Sequence, residues 1–184
     1  MTTLLGISGS LRKQSYNTAL LHAASALAPA GVTIEVVTLH GIPLYDGDLE
    51  EQEGIPPAVQ ALKQKIIGSD GVILATPEYN NSIPGVFKNA IDWLSRPSAD
   101  IQQVFGQRAF ALVGATPSGF GTLLSQNAWL SVLRQLGAYH WTSGRLLVSR
   151  AHEVFDSEGQ LQDKRIKQEL QHFIQEFTKF TDKV

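Results

Sequence analysis

Between a short apolar run, Leu4 to Ile7, and a helix-like segment beginning near Thr18 lies the stretch Gly6-Ile7-Ser8-Gly9-Ser10-Leu11-Arg12-Lys13-Gln14-Ser15-Tyr16-Asn17. Small residues let a backbone approach a ligand closely, and Ser and Asn side chains together with the amides of a helix N-terminus aim donors at one point. Arg12 adds a permanently charged planar fork that meets two oxygens at once. The combination suits a terminal phosphate. The plain alternative is a strand-to-helix connection in which Ser15 or Asn17 only caps the helix, and this loop by itself does not choose between them. GISGSLR lacks the third glycine of the dinucleotide fingerprint, and no Gly-Lys-Ser/Thr follows to make a Walker loop.

Two further stretches carry residues unusual for plain connections. Thr76-Pro77-Glu78-Tyr79-Asn80-Asn81-Ser82-Ile83-Pro84-Gly85 is stiffened by two prolines and offers backbone amides, an aromatic ring and two side-chain amides. These suit a flat heteroaromatic ligand that needs edge hydrogen bonds and a ring contact. Ala115-Thr116-Pro117-Ser118-Gly119-Phe120-Gly121-Thr122 again presents amides that side chains do not shield. One anion site and one planar-ring site describe a mononucleotide, and FMN fits both ends. Three turns that are merely rich in Gly and Pro remain the alternative on composition alone.

The elements around these loops alternate. Leu4 to Ser8 reads as a strand, Asn17 to Ala28 as a helix stopped by Pro29 and Gly31, and Val32 to Leu39 as a second strand with largely alternating apolar residues. His40 to Pro57, with Gly, Pro and the acidic residues Asp46, Asp48, Glu50, Glu51 and Glu53, reads as a long surface loop rather than a metal site. Its Pro43, Leu44 and Tyr45 are placed to line a cleft from above. Ala58 to Ile67 is a helix, and Gly71 to Thr76 and Ala109 to Ala115 are continuous apolar runs, the mark of strands covered on both faces. Val86 to Leu94 and Leu124 to Leu136 have helical spacing. A weaker last strand falls within Tyr139 to Val148, around Arg145 to Val148. A closing helix aligns Leu161, Ile166, Leu170, Phe173, Ile174 and Phe177 in one stripe. This alternation predicts a doubly wound α/β sheet with its ligand at the carboxyl ends of the strands, where all three loops emerge on one edge.

The 184 residues, 43% of them hydrophobic, suit one globular domain spanning 1–184. A formal net charge of −2 gives no basic footprint for nucleic acid and no polybasic anchor for a membrane, so the expected partners are small molecules or further copies of the chain. There are no cysteines, which removes disulfides, thiolate metal sites and cysteine nucleophiles, and redox chemistry would need a bound cofactor. No leader or membrane-length apolar stretch is visible, so a cytoplasmic location is expected.

The motifs GISGSLRKQSYN, TPEYNNSIPGVFKNAIDWLSRP from Thr76 to Pro97, and GATPSGFGT from Gly114 to Thr122 resemble those of the NAD(P)H-dependent FMN reductases, a family that includes quinone, azo-dye and chromate reductases. The resemblance implies a flavodoxin-like three-layer sandwich with a five-stranded parallel sheet in the order 2-1-3-4-5. It implies that Ser10, Arg12, Ser15 and Asn17 hold the FMN phosphate. Pro77, Glu78, Tyr79 and Asn80 border the ring and ribityl chain, largely through backbone atoms, and Ser118 and Gly119 contact the ring. Gly121-Thr122 stands where relatives often have Gly-Gly. The implied chemistry is ping-pong, with NADPH or NADH and then a small acceptor on one open flavin face, and it calls for no protein acid or base. A homodimer or homotetramer is implied as well, with the helix Val86 to Leu94 at the interface: Lys88, Asn89 and Asp92 then either make contacts between subunits or form a solvated face, Trp93 reads as a packing residue, and Arg96 lies close enough to the cleft to meet an anionic substrate.

Glu78 is expected to bond nearby backbone amides rather than act as a base. His22, His40, His140, His152 and His172 lack metal-ligand spacing, and no metal is assigned. Two other readings compete: a flavodoxin-like electron carrier without its own nicotinamide oxidation, and a flavin sensor that binds a partner. The near-neutral charge and Arg12 in the first loop weigh against the carrier, whose docking surface is ordinarily acidic.

Overall fold

The computed structural model describes residues 1–106 and 108–184. Its strands are Thr2–Ser8 (β1), Val32–Val37 (β2), Gly71–Ala75 (β3), Ala109–Ala115 (β4), Tyr139–His140 (β5) and Leu146–Val148 (β6). Its α-helices are Tyr16–Ala26 (α1), Gly47–Glu53 (α2), Pro57–Ile67 (α3), Gly85–Leu94 (α4), Ile101–Val104 (α5), Leu123–Gln135 (α6), Ala151–Val154 (α7) and Lys164–Thr181 (α8). All strand pairs are parallel, in the order β2-β1-β3-β4-β5, with β6 also on β4. This is the doubly wound, flavodoxin-like order expected from the sequence.

The central strands β3 and β4 are buried along their whole length, as uninterrupted apolar runs require in a sheet covered on both faces. One side chain set, including Ile73, Ala75, Ala111 and Val113, packs with Leu20, Leu21 and Ala24 of α1 and Leu170, Phe173, Ile174 and Phe177 of α8. The other, including Val72, Leu74, Phe110 and Leu112, packs with Val59, Leu62 and Ile66 of α3, Phe87 and Ile91 of α4, and Trp129 and Leu133 of α6. Period-two alternation thus sends neighbouring residues into opposite layers. The predicted stripe of α8 is buried from Ile166 to Phe177, and Asp163 caps that helix by accepting from Ile166 N at 2.9 Å.

Two elements depart from the sequence expectation. The fifth place in the sheet is shared by two pieces, β5 on Ala109 and Phe110 and β6 on Val113 to Ala115. After β5, Trp141 N still donates to Phe110 O at 2.8 Å and its ring packs with Phe173, Phe177 and Phe180 of α8, and Gly144 folds back against it so closely that a Cβ there would stand 2.6 Å from Trp141 Cζ2. The supposed loop His40–Pro57 contains helix α2. Asp46 caps it by accepting from Asp48 N at 2.9 Å, and Asp48 and Glu50 sit in its first turn, where carboxylates complement the helix dipole. No residue of α2 is buried, so it leaves no apolar period in the sequence.

Candidate functional site

The three loops follow β1, β3 and β4, which are neighbours in the sheet, and backbone bonds hold their roots together. Gly9 N donates to Ala75 O at 2.9 Å, and Thr76 N donates to Val113 O at 2.9 Å. Gly9 permits this closeness. A Cβ there would run into the Phe87 ring and stand 2.9 Å from Pro77 Cδ.

In the first loop each predicted polar residue has an anchored side and an unspent one. Ser10 Oγ accepts from Arg12 N at 3.2 Å, and Ser15 Oγ accepts from Thr18 N at 3.3 Å as the N-cap of α1. Both hydroxyl protons are left over. Asn17 is clamped to β4: its Nδ2 donates to Ala115 O at 2.9 Å and its Oδ1 accepts from Ala115 N at 3.0 Å, which leaves one N–H. The capping alternative therefore describes Ser15 and does not exclude a ligand role. Among the described residues, the amides of Lys13, Gln14, Ser15, Tyr16 and Asn17 meet no acceptor, and the exposed Arg12 has no carboxylate partner.

The second loop turns sharply at Asn80 and Asn81, with φ of 51° and 62°, and closes by reciprocal bonds between Tyr79 and Ser82 of 3.2 and 3.1 Å. Two consecutive left-handed residues define a type I′ turn, and Asn tolerates that region better than other non-glycine residues. Glu78 bonds backbone amides as expected, but distant ones: its Oε2 accepts from Leu124 N at 2.8 Å and Ser125 N at 3.0 Å. It therefore closes the N-terminus of α6, where a negative charge also meets the positive end of the helix dipole.

The third loop is carried by the last third of the chain, which the sequence reading credited with only a strand and a helix. Thr116 N donates to Val148 O at 3.0 Å, Arg150 N to Ser118 O at 2.9 Å and Ala151 N to Thr116 O at 3.0 Å. Arg150 adopts a left-handed backbone, φ 47° and ψ 46°, to turn its amide toward Ser118. Thr122 is fully buried and takes the room that Gly114 leaves: a Cβ on Gly114 would collide with Thr122 Oγ1 and stand 2.6 Å from Thr76 O.

Glu78, Asn80 and Ser118 line one cavity of about 570 Å³ together with Asn81, Thr116, Phe120 and Leu124. Arg12 and Ser15 line a second, of about 500 Å³, whose far wall is the turn at Asp156 to Gln160. Asp156 is occupied within that turn, its acidity raised chiefly by the Gln160 amide and also by Gln162 and the amides of Glu158 and Gly159. Ser10, Asn17, Pro77, Tyr79 and Gly119 lie on the same three loops but line neither hollow.

The segment expected to line the cleft from above is strapped along α4. Tyr45 N donates to Asn89 Oδ1 at 2.8 Å, and Asn89 Nδ2 and Trp93 Nε1 donate to Pro43 O at 2.8 and 3.0 Å. Trp93 is a buried packing residue, and Lys88 pairs with Asp92 at 2.6 Å. Arg96 is tied through its Nε, which donates to both oxygens of Glu50, at 3.1 and 2.8 Å, and its terminal N–H groups stay outside that pair. That contact, followed by the Tyr45 hydroxyl, holds Glu50 below its ordinary carboxylate value, and donation to Glu50 raises the pKa of Tyr45. Among the described residues, no group of three or more His, Cys, Asp or Glu could hold a metal, and no helix is long and apolar enough to cross a membrane.

The donor set fits a flavin mononucleotide. Two free hydroxyl protons, one amide proton, a guanidinium and a row of unpaired backbone amides suit a phosphate, and the cavity between the second and third loops combines apolar walls with polar edges. Residues 2–153 match the family model described as NADPH-dependent FMN reductase. The chain is 41% identical over 172 residues to an NAD(P)H-dependent FMN reductase of Pseudomonas aeruginosa, covering 94% of this chain and 91% of the other. It is 34% identical over 169 residues to a 2-hydroxy-1,4-benzoquinone reductase of a Burkholderia species, covering 92% and 90%. Among solved structures it resembles a flavoenzyme NAD(P)H:(acceptor) oxidoreductase of Paracoccus denitrificans, with a TM-score of 0.87 and 31% identity over 100% of this chain and 98% of that one. The chain thus belongs to the NADPH-dependent FMN reductase family.

Proposed function

We propose that the three loops hold one FMN, with its phosphate on Ser10, Arg12, Ser15 and Asn17 and its ring beside Pro77, Glu78, Tyr79, Asn80, Ser118 and Gly119. The protein is an NAD(P)H-dependent FMN oxidoreductase that delivers electrons to quinones or other small acceptors, in keeping with its family and the named activities of its relatives. The observation that carries the site assignment is that each of Ser10, Ser15 and Asn17 is fixed by one hydrogen bond or clamp and still keeps a donor to spare. Such a site is organised before the ligand arrives, so little ordering is left to oppose binding.

Bound FMN supplies hydride acceptance from a reduced nicotinamide and electron delivery to an acceptor. The chain supplies position. Glu78 is committed to the N-terminus of α6 and holds the second loop against the third, so it serves no proton transfer. Donor and acceptor use the same open face in turn, which is ping-pong behaviour. The chain works as one domain over residues 1–184, as a homodimer or homotetramer, in the cytoplasm.

The experiment is a visible absorption spectrum of the purified protein before and after anaerobic addition of NADPH or NADH, followed by initial rates with a quinone. A flavin spectrum that bleaches promptly, then double-reciprocal lines that stay parallel as quinone is varied, is the expected result. Absence of FMN binding would overturn the site, and intersecting lines would overturn the shared face.

A further inference from the structure

Beneath the second loop lies a buried polar cluster that the proposed cofactor contacts do not use. Thr76 and Ser125 are fully buried, as is Trp129. Thr76 Oγ1 lies 3.0 Å from Pro77 O, 2.8 Å from Ser125 Oγ and 3.0 Å from Trp129 Nε1. The protons follow by elimination. An indole N–H can only donate and a carbonyl can only accept, so Trp129 donates to Thr76 and the single hydroxyl proton of Thr76 goes to Pro77 O. Ser125 must then donate to Thr76. The donor chain runs in one direction, from Ser125 through Thr76 to the Pro77 carbonyl, and each such bond strengthens the next among fully buried side chains.

This cluster ties the second loop to α6 independently of Glu78, whose carboxylate bonds the amides of Leu124 and Ser125. Trp129 is in turn held edge-on against Phe87 of α4, with ring centroids 4.9 Å apart. A single hydroxyl thus meets groups from the second loop and α6 at the point where β3 becomes the loop.

We propose that Thr76 is a positioning residue for FMN: it sets the Pro77 peptide, and through it the backbone from Glu78 to Asn80, while Ser125 and Trp129 act only through Thr76. This rests on the reading that the second loop borders the cofactor. A hydroxyl at position 76 is the specific requirement, because valine of nearly the same shape leaves an indole N–H, a serine O–H and a carbonyl unpaired in the interior.

The test measures FMN affinity by fluorescence quenching in Thr76→Val, Thr76→Ser and Trp129→Phe, with the visible spectrum and midpoint potential of each bound flavin. Thr76→Val is expected to raise the FMN Kd about tenfold or more and to shift the potential, while Thr76→Ser stays within about threefold of the parent. Trp129→Phe falls between them. A Thr76→Val protein with parental affinity and potential overturns the proposal, as does a Thr76→Ser protein as impaired as Thr76→Val. If Thr76→Val does not fold, Ser125→Ala serves: it removes one donor and leaves the Thr76–Pro77 bond, so a rise in Kd of about threefold supports the proposal and a parental Kd overturns it. Hydrogen exchange of residues 77–82 in the parent separates the two levels. No protection on adding FMN overturns the loop assignment and this proposal together, whereas clear protection with parental affinity in Thr76→Val overturns the positioning role alone.

Discussion

At the scale of single residues, the site depends on side chains that are half-spent and on glycines that make room. Arg12 is the one permanently charged group among the proposed phosphate contacts, and its charge-assisted bonds have no internal substitute. Arg12→Ala is expected to weaken FMN binding about tenfold in a fluorescence titration, and an unchanged Kd would remove Arg12 from the site. Gly9 illustrates the other requirement. A methyl group there meets Phe87 and Pro77 from two different elements, neither of which can move alone. Gly9→Ala should lower stability by about 1–3 kcal/mol in urea unfolding of the apo protein, in the range of core overpacking. A change within error would mean that the second loop yields easily, contrary to its bonding.

At the scale of elements, Glu78 acts at a helix end and Glu50 along a strap. Glu78 caps a helix in another part of the chain, so Glu78→Gln should cost about 1 kcal/mol of stability, as loss of a charged cap does. Its pH–rate profile should match that of the parent, and loss of a limb from the profile would show that Glu78 carries a proton after all. Glu50 gives a pH-dependent prediction. Its pKa lies below the ordinary 4.5, chiefly through Arg96, so its contribution is complete above 4.5 and is lost as pH falls through the lowered value. Below pH 4.5, residues 43–50 should exchange amide hydrogens faster relative to Glu50→Gln than they do at neutral pH. A constant ratio across that range would show that Glu50 does not hold the strap. Helix α2, which carries Glu50, was invisible as a helix in the sequence because Leu49 is its one apolar residue on the core and a single residue makes no apolar period.

At the scale of the whole molecule, the strongest signals in the sequence were the two that depend on complete burial. The runs at Gly71 to Ala75 and Ala109 to Ala115 announced central parallel strands, and the stripe from Ile166 to Phe177 announced the covering helix. The last strand was the weakest because it is split into two short pieces, Tyr139–His140 and Leu146–Val148, with the turn at Gly144 between them folded back on Trp141. Exposed apolar side chains remain, Leu44 and Phe120 among them, at 80% and 82% exposure. Sedimentation equilibrium is expected to give a homodimer or homotetramer, and a monomer at all concentrations tested would leave those side chains to be explained by other partners.

The sequence by itself determined the alternation of strand and helix, the edge on which the three loops gather, and the donor residues offered for the proposed phosphate and ring site, because burial period, turn chemistry and donor inventory are local properties. The tertiary structure alone decided how those residues are held. Asn17 is clamped to Ala115, 98 positions away, Glu78 closes a helix 46 positions on, and Thr76 meets Ser125 and Trp129 at separations of 49 and 53. No local pattern encodes such partners. They are chosen by which strands lie side by side once each crossover has packed, and by the need of every buried donor and acceptor to find a mate there.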